Sequence, residues 1–160
     1  MNDPAHMRSR VTIRDAQAGD AEAVLQLMRQ LAEFEGYLDR FAVTVDDLLK
    51  RGYDSTREPQ FHISVAETAG QLIGYALTYL IPFTFDLRPT LVLKEFFVST
   101  EHRGAGIGHM LFASVLEHGR GKKARLLRWQ VLPSNDAAAR FYRSFRGSVD
   151  GVWDNWVLEL

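Results

Sequence analysis

Hydrophobic positions along this chain change their period from segment to segment, and the changes mark out the elements. Val11–Asp15 (VTIRD) is a short β-type run. Beyond Gly19-Asp20, Val24, Leu27, Met28, Leu31 and Phe34 recur at the spacing of one helix face, predicting an amphipathic helix with Asp20 as N-cap and Gly36 as its stop. Thr44 followed by Asp47 has the form of a capping box, with aspartate where glutamate is usual, and predicts a short helix ending at Gly52. The polar stretch from Gly52 to Gln60 reads as a loop. Gln60–Glu67 and Gln71–Leu80 flank Thr68-Ala69-Gly70 and read as an antiparallel hairpin. Leu91–Ser99 is a further strand, apolar except mainly for Lys94-Glu95. Gly106–His118 is helical, with Ile107, Met110, Leu111 and Val115 on one stripe that can extend to His118. Leu126–Leu132 reads as a strand, and Asn135–Phe145 as a helix with Ala138, Phe141, Tyr142 and Phe145 on one face. Gly151–Leu160 places Trp153, Trp156 and Leu158 in strand-like surroundings.

The resulting order, β-α-α-β-β-β-α-β-α-β, predicts an α/β (α+β) fold: a mixed, mostly antiparallel central sheet with helices on both faces. With 160 residues and no repeat, low-complexity tract or linker, the chain reads as one domain over 11–160, preceded by a flexible N-terminal tail over 1–10. A composition of 46% hydrophobic and 24% charged residues is that of an ordinary globular domain. The absence of cysteine excludes disulfides, thiolate metal sites and cysteine nucleophiles, and fits a reducing compartment. A net charge of -1 gives no broad electrostatic footprint for nucleic acid or an anionic membrane. The longest apolar stretches, such as Tyr75–Pro82, fall far short of the roughly 20 residues of a spanning helix. These features point to a cytoplasmic protein with neither nucleic acid nor membrane as partner. Its oligomeric state stays open, a homodimer included.

The segment richest in chemistry is Glu101-His102-Arg103-Gly104-Ala105-Gly106-Ile107-Gly108, between a strand and a helix. Alternating glycines allow tight turns and close approach of successive N–H groups to a ligand, and the following helix N-terminus adds partial positive charge. Together they make a cradle for an anion. A dinucleotide fingerprint would need glycine at His109, and the Gly-Lys-Ser/Thr of a P-loop is missing. The five histidines form no H-E-x-x-H, so no metal is implied. His62 in its strand reads as a packed imidazole, with a base as the alternative, and His109 as a residue shaping the helix start. No Gly-x-Ser-x-Gly elbow is present. The basic run Gly119–Arg125 reads as a solvated turn, with a phosphate contact as the alternative, while Arg140 and Arg143 are alternative phosphate contacts or plain helix surface.

Arg103-x-x-Gly106-x-Gly108 after an apolar strand resembles the Gln/Arg-x-x-Gly-x-Gly/Ala motif of the GNAT superfamily of acetyl-CoA-dependent N-acetyltransferases. The resemblance runs through nearly the whole chain, from VTIRDAQAGDAEAV through FFV to Asn135 and Phe141-Tyr142. LAEFEG, DLL and FFVSTEHRGAGIG are similar to the spermidine/spermine (diamine) branch. The resemblance implies acetyl-CoA as co-substrate and a small-molecule primary amine as acceptor. It implies that the amides of Arg103, Gly104, Ala105, Gly106, Ile107 and Gly108 hold the CoA pyrophosphate. Phe97 and Val98 would bond the pantetheine arm as an added strand does, and Asn135 would hydrogen-bond it. Tyr142 would protonate the departing thiolate. That role suits a phenol, because an alkyl thiol with a pKa of about 8.5 leaves as the anion and a tyrosine of about 10 still carries a proton to give.

Two positions depart from that pattern. The branch carries an acidic pair before the loop, the first member acting as base, and here the pair is Lys94-Glu95. Glu95 can substitute as base only if a bulge brings it round, since period-2 alternation points it to the opposite face. Lys94 offers three outcomes: a charge that disfavours polyamines and suits amines bearing a carboxylate, a neutral lysine acting as base, or a side chain that snorkels to solvent and decides nothing. The glycine usual four residues after the tyrosine is Arg146, with Gly147 one later, so the helix ending there is reshaped. Two other readings stay open: an acyl-CoA-binding sensor or interaction module without turnover, and another kind of phosphate-binding protein.

Overall fold

Val11–Asp15 forms strand β1 at one edge of a five-stranded sheet whose order, β1-β2-β3-β4-β5, follows the chain. The computed structural model describes residues 10–152 and 154–159. The predicted tail, Arg10 apart, lies outside the described residues, as do Trp153 and Leu160. Strands β2 (His62–Thr68), β3 (Gln71–Ile81) and β4 (Thr90–Val98) run antiparallel in succession, and β5 (Leu126–Arg128) joins β4 in parallel. Among the described residues four α-helices accompany them: α1 (Ala21–Phe34), α2 (Val45–Gly52), α3 (Ile107–Gly121) and α4 (Asp136–Ser144). The chain forms two compact units, divided between Trp129 and Gln130. The first holds the sheet and α1 to α3, the second α4.

Successive strand residues point to opposite faces, and the two faces of the sheet bury different helices. On one, Val24, Leu27, Met28 and Leu31 of α1, with Leu48 of α2, pack with Ile63, Val65, Tyr75 and Phe97. On the other lies α3: Phe112 meets Phe96 edge to face at 6.0 Å, and His118 stacks on His62 at 3.8 Å. The predicted sheet with helices on both faces is therefore found. The end of α1 and the start of α2 also follow the sequence. Gly36 takes a φ of 78° and lets Tyr37 N–H donate to the Ala32 carbonyl at 2.9 Å, closing α1. The Thr44 hydroxyl accepts from Asp47 N–H at 3.2 Å while Asp47 accepts from Thr44 N–H at 3.0 Å, a reciprocal cap for α2.

Asp20 is the N-cap residue of α1 as expected, reached through a short 3₁₀ turn over Ala18–Asp20, but its carboxylate takes the Gln17 N–H and a bidentate Arg14 in place of a helix amide. Three expectations need correction. Phe34, predicted in the buried stripe, is 61% exposed. β5 stops at Arg128 rather than Leu132. No strand forms among the described residues of 151–160, where Trp156 and Leu158 are exposed. Aromatic residues there gave a β-like pattern, but a strand needs a partner's ladder as well as propensity.

Candidate active site

Strand β4 carries an irregularity where the chemistry was expected. Leu77 of β3 pairs with Glu95, but the next residue, Thr78, pairs with Leu93, leaving Lys94 as the extra residue of a β-bulge. Before the bulge Leu91 faces α3, within 3.1 Å of the position a Cβ on Gly119 would take, and Leu93 shares its face by alternation. Unbroken alternation would set Glu95 there too. The bulge turns Glu95 onto the α1 face, with Phe97, and leaves Lys94 exposed.

Glu95 meets a partner on that face. The Tyr75 hydroxyl donates to Glu95 Oε2 at 2.8 Å, from a ring that is 0% exposed in β3. Burial lifts the Glu95 carboxyl above its ordinary range, while the Tyr75 bond and the charge of Lys94 pull it down and that of Glu35 pushes it up. Burial likewise raises Tyr75, assisted by Glu95. Tyr37 is raised by burial and by the charges of Glu95 and Glu35, so the turn after α1 belongs to the same neighbourhood. A half-buried carboxylate with a raised pKa has the properties of a general base.

The strand runs on into the glycine loop. Ser99 N–H continues the sheet by donating to the Ile73 carbonyl at 2.9 Å, and the Ser99 hydroxyl lies 2.9 Å from His102 Nδ1. Arg103 folds back: its Nε donates to the Val98 carbonyl at 2.8 Å, and its guanidinium lies over the rings of Phe34 and Phe97 at 4.9 and 5.4 Å. This explains why Phe34 is not in the core, since it flanks the loop. Gly104 and Gly106 take φ of 82° and 80°, the left-handed region where glycine is favoured. Nothing lies within 4 Å of where a Cβ on Gly104 would stand. Buried Ala105 and Ile107 anchor the loop between the glycines, Gly106 caps α3, and Gly108 lies in its first turn. That first turn holds no acidic residue to compete for the helix N-terminus. On the other edge of β4, pairing with β5 is confined to Thr90–Val92, so the ladder stops short of Leu93–Val98.

The second unit holds the remaining predicted site residues. Asn135 is the N-cap of α4, its side-chain oxygen accepting from Ala138 N–H at 3.0 Å. Tyr142 packs edge to face on Phe141 at 5.1 Å, and burial pushes its phenol up to about 12. Arg140 and Arg143 are exposed. The helix ending is reshaped as expected: Arg146 itself takes the left-handed conformation with φ 65°, and Gly147 N–H donates to the Tyr142 carbonyl at 3.0 Å.

His62 is a packed imidazole as predicted, stacked on His118 with Nε2 3.0 Å from Asp15. His109 sits exposed in the first turn of α3. Tyr75, Tyr37 and Glu35 were not singled out by sequence. Tyr75 did carry a signal: a phenol in an apolar buried run needs a polar partner, and Glu95 is the carboxylate of the neighbouring strand.

The chain matches the acetyltransferase (GNAT) family over residues 25–147. It is 32% identical over 142 residues to a thialysine N-epsilon-acetyltransferase of Bos taurus, covering 84% of this chain and 82% of that one. It is 31% identical over 147 residues to a spermidine/spermine N(1)-acetyltransferase-like protein of Homo sapiens, covering 86% of this chain and 20% of the relative. Among solved structures, an aminoglycoside acetyltransferase from an uncultured soil metagenomic sample, in complex with sisomicin, superposes with a TM-score of 0.81 at 18% identity, covering 96% of this chain and 99% of the other. An aminoglycoside N-acetyltransferase in complex with CoA gives 0.74 at 19% identity, covering 94% and 95%. At that identity these two speak for the fold.

Proposed function

This chain belongs to the acetyltransferase (GNAT) family and is an N-acetyltransferase; we propose that its donor is acetyl-CoA and its acceptor the primary amine of a small molecule, which attacks the thioester directly. The observation that carries this reading is β4 itself. One strand ends in the glycine loop, lacks a ladder partner strand beyond Val92 on one edge among the described residues, and by its bulge presents Glu95 beside Tyr75.

The residues fit the donor. Acetyl-CoA, when bound, supplies the acetyl group as an activated thioester. The amides of Arg103–Gly108, opened by Gly104 and Gly106 and backed by the N-terminus of α3, hold its pyrophosphate. The backbone of Val98 receives the pantetheine arm, because Phe97, opposite Tyr75 in the register that Ser99 N–H continues to Ile73, turns its own N–H and carbonyl toward β3. Arg103 already takes the Val98 carbonyl, so the Val98 N–H is the group left to serve. Asn135 spends its carbonyl oxygen on the α4 cap, which leaves its NH₂ for the arm.

Glu95 accepts the proton of the attacking amine. A carboxylate is charged and ready above its own pKa, so activity rises with pH through that value. Tyr142 delivers a proton to the leaving thiolate; with its phenol held near 12, it is protonated throughout the neutral range. Lys94, exposed beside Glu95, sets the charge that meets the acceptor, and favours an amine whose own carboxylate answers it. The relatives named for thialysine agree with an amino-acid acceptor, and the one named for spermidine and spermine defines the alternative.

The test is Glu95→Gln. Calorimetry should show unchanged acetyl-CoA affinity, while amine-dependent thiol release should fall about 100-fold or more in kcat. An undiminished kcat removes Glu95 from the reaction.

A further inference from the structure

Tyr75 is otherwise hard to account for. Its ring is fully buried between the sheet and α1, where phenylalanine would pack as well, and its hydroxyl is spent on one acceptor, Glu95 Oε2. Burying a phenol is costly unless its O–H is bonded. Glu95, for its part, faces this side of the sheet only because β4 bulges at Lys94. The two features together hold a single carboxylate in a single orientation.

We propose that Tyr75 is a positioning residue for acetyl transfer, fixing the Glu95 carboxylate through Oε2 and so reserving Oε1 for the proton of the acceptor amine. This rests on the reading of Glu95 as base. A donor bond to a carboxylate favours its charged form, so Tyr75 also sets the pH at which the base becomes available. The other groups acting on Glu95 are Lys94 on its own strand, which also favours the charged form, and Glu35 with Tyr37 in the turn after α1, of which Glu35 opposes it. None of these donates a hydrogen bond to Glu95 in the way Tyr75 does among the bonds described. Tyr75 therefore does two things at once: it orients the base, and it counters the burial that disfavours the charged carboxylate.

The test is Tyr75→Phe, which keeps the ring and removes the O–H. A hydrogen bond to a charged group corresponds to about one to two pH units of carboxylate pKa. With ¹³C-labelled glutamate, and Glu95→Gln identifying the resonance, the Glu95 carboxyl should titrate at least about one pH unit higher in Tyr75→Phe than in the parent. The acid limb of kcat/KM should move up by the same amount, and kcat on its plateau should fall about tenfold with KM for acetyl-CoA unchanged. Lost packing alone would move neither the titration nor the limb. In the parent itself, the Tyr75 Cζ resonance should follow the Glu95 titration, a readout that needs no variant to fold. An unmoved Glu95 titration and limb in Tyr75→Phe, or a Tyr75 resonance indifferent to Glu95, overturns the proposal. If Glu95→Gln keeps the parent's limb and kcat, the base reading fails and the catalytic role of Tyr75 fails with it, whereas the first pair of outcomes leaves the base reading standing.

Discussion

Arg103 closes back on Val98, its Nε donating to the Val98 carbonyl at 2.8 Å across the turn that separates strand from loop. The contact ties the glycine loop to the end of β4, with the guanidinium held between the rings of Phe34 and Phe97. The side chain of the motif arginine thus acts as a clasp, which on the proposed reading leaves the anion to backbone amides. Arg103→Ala should weaken acetyl-CoA binding about tenfold in calorimetry by loosening the loop. Affinity equal to the parent's would show that the loop holds its shape without the clasp.

Gly106 is the sharper probe of the same site. A β-branched side chain at its φ of 80° is strained by about 1–2 kcal/mol and brings bulk where a ligand must approach the backbone. Gly106→Val should lose acetyl-CoA affinity while its circular dichroism spectrum stays that of the parent. Parental affinity in calorimetry would place the phosphate site elsewhere.

Lys94 should govern the choice of acceptor. Two unit charges about 4 Å apart interact by roughly 1 kcal/mol in water and about 4 at an effective dielectric near 20. Lys94 is exposed, so the lower part of that range applies. Lys94→Glu should raise kcat/KM for spermidine about five- to tenfold and lower it for an amine bearing a carboxylate. A parent that prefers spermidine, with no gain from the substitution, would remove Lys94 from selectivity.

Arg146 pays in backbone strain for ending α4 where glycine is favoured, at φ 65°. Arg146→Gly should relieve that strain, less the added entropy of the unfolded chain, for a net stabilisation of about 0.5–1 kcal/mol. The urea midpoint reads this directly, and a lower midpoint would contradict it.

His118 makes stability depend on pH. Burial, then the neighbouring His62 and Lys122, bring its pKa down to about 4 from an ordinary 6.5. The folded state therefore favours the neutral ring, so its contribution is complete above about pH 6.5 and is lost as pH falls toward 4. With solvent still reaching the ring, the loss is on the order of 1 kcal/mol. His118→Phe keeps a ring against His62 and should lose less stability between pH 7 and 4.5 than the parent. Equal losses in urea titrations would show that His118 does not couple to folding.

Much of this was legible in the sequence where local rules suffice. The Thr44–Asp47 cap, the stop at Gly36 and the loop from Arg103 to Gly108 each depend on residues within a few positions of one another. The bulge at Lys94 was legible only as a condition, because whether a strand slips by one residue is decided by its partner, here Leu77 and Thr78 of β3. The Tyr75–Glu95 bond spans 20 residues and depends on that slip, so no local pattern announces it. Phe34 misled for a related reason: its helical phase is right, but Arg103, far on in the chain, gives it a cation to cover in place of the core.

The central claim, turnover of acetyl-CoA onto an amine, is tested by supplying the protein with acetyl-CoA and a panel of amines that includes spermidine, lysine and thialysine, and measuring free thiol together with the mass of each acceptor. Thiol release that depends on the amine, matched by the mass increase of one acetyl group on an amino-acid acceptor, is the expected result. Tight acetyl-CoA binding with no amine-dependent release across the panel would contradict it and leave a domain that binds the donor without turning it over.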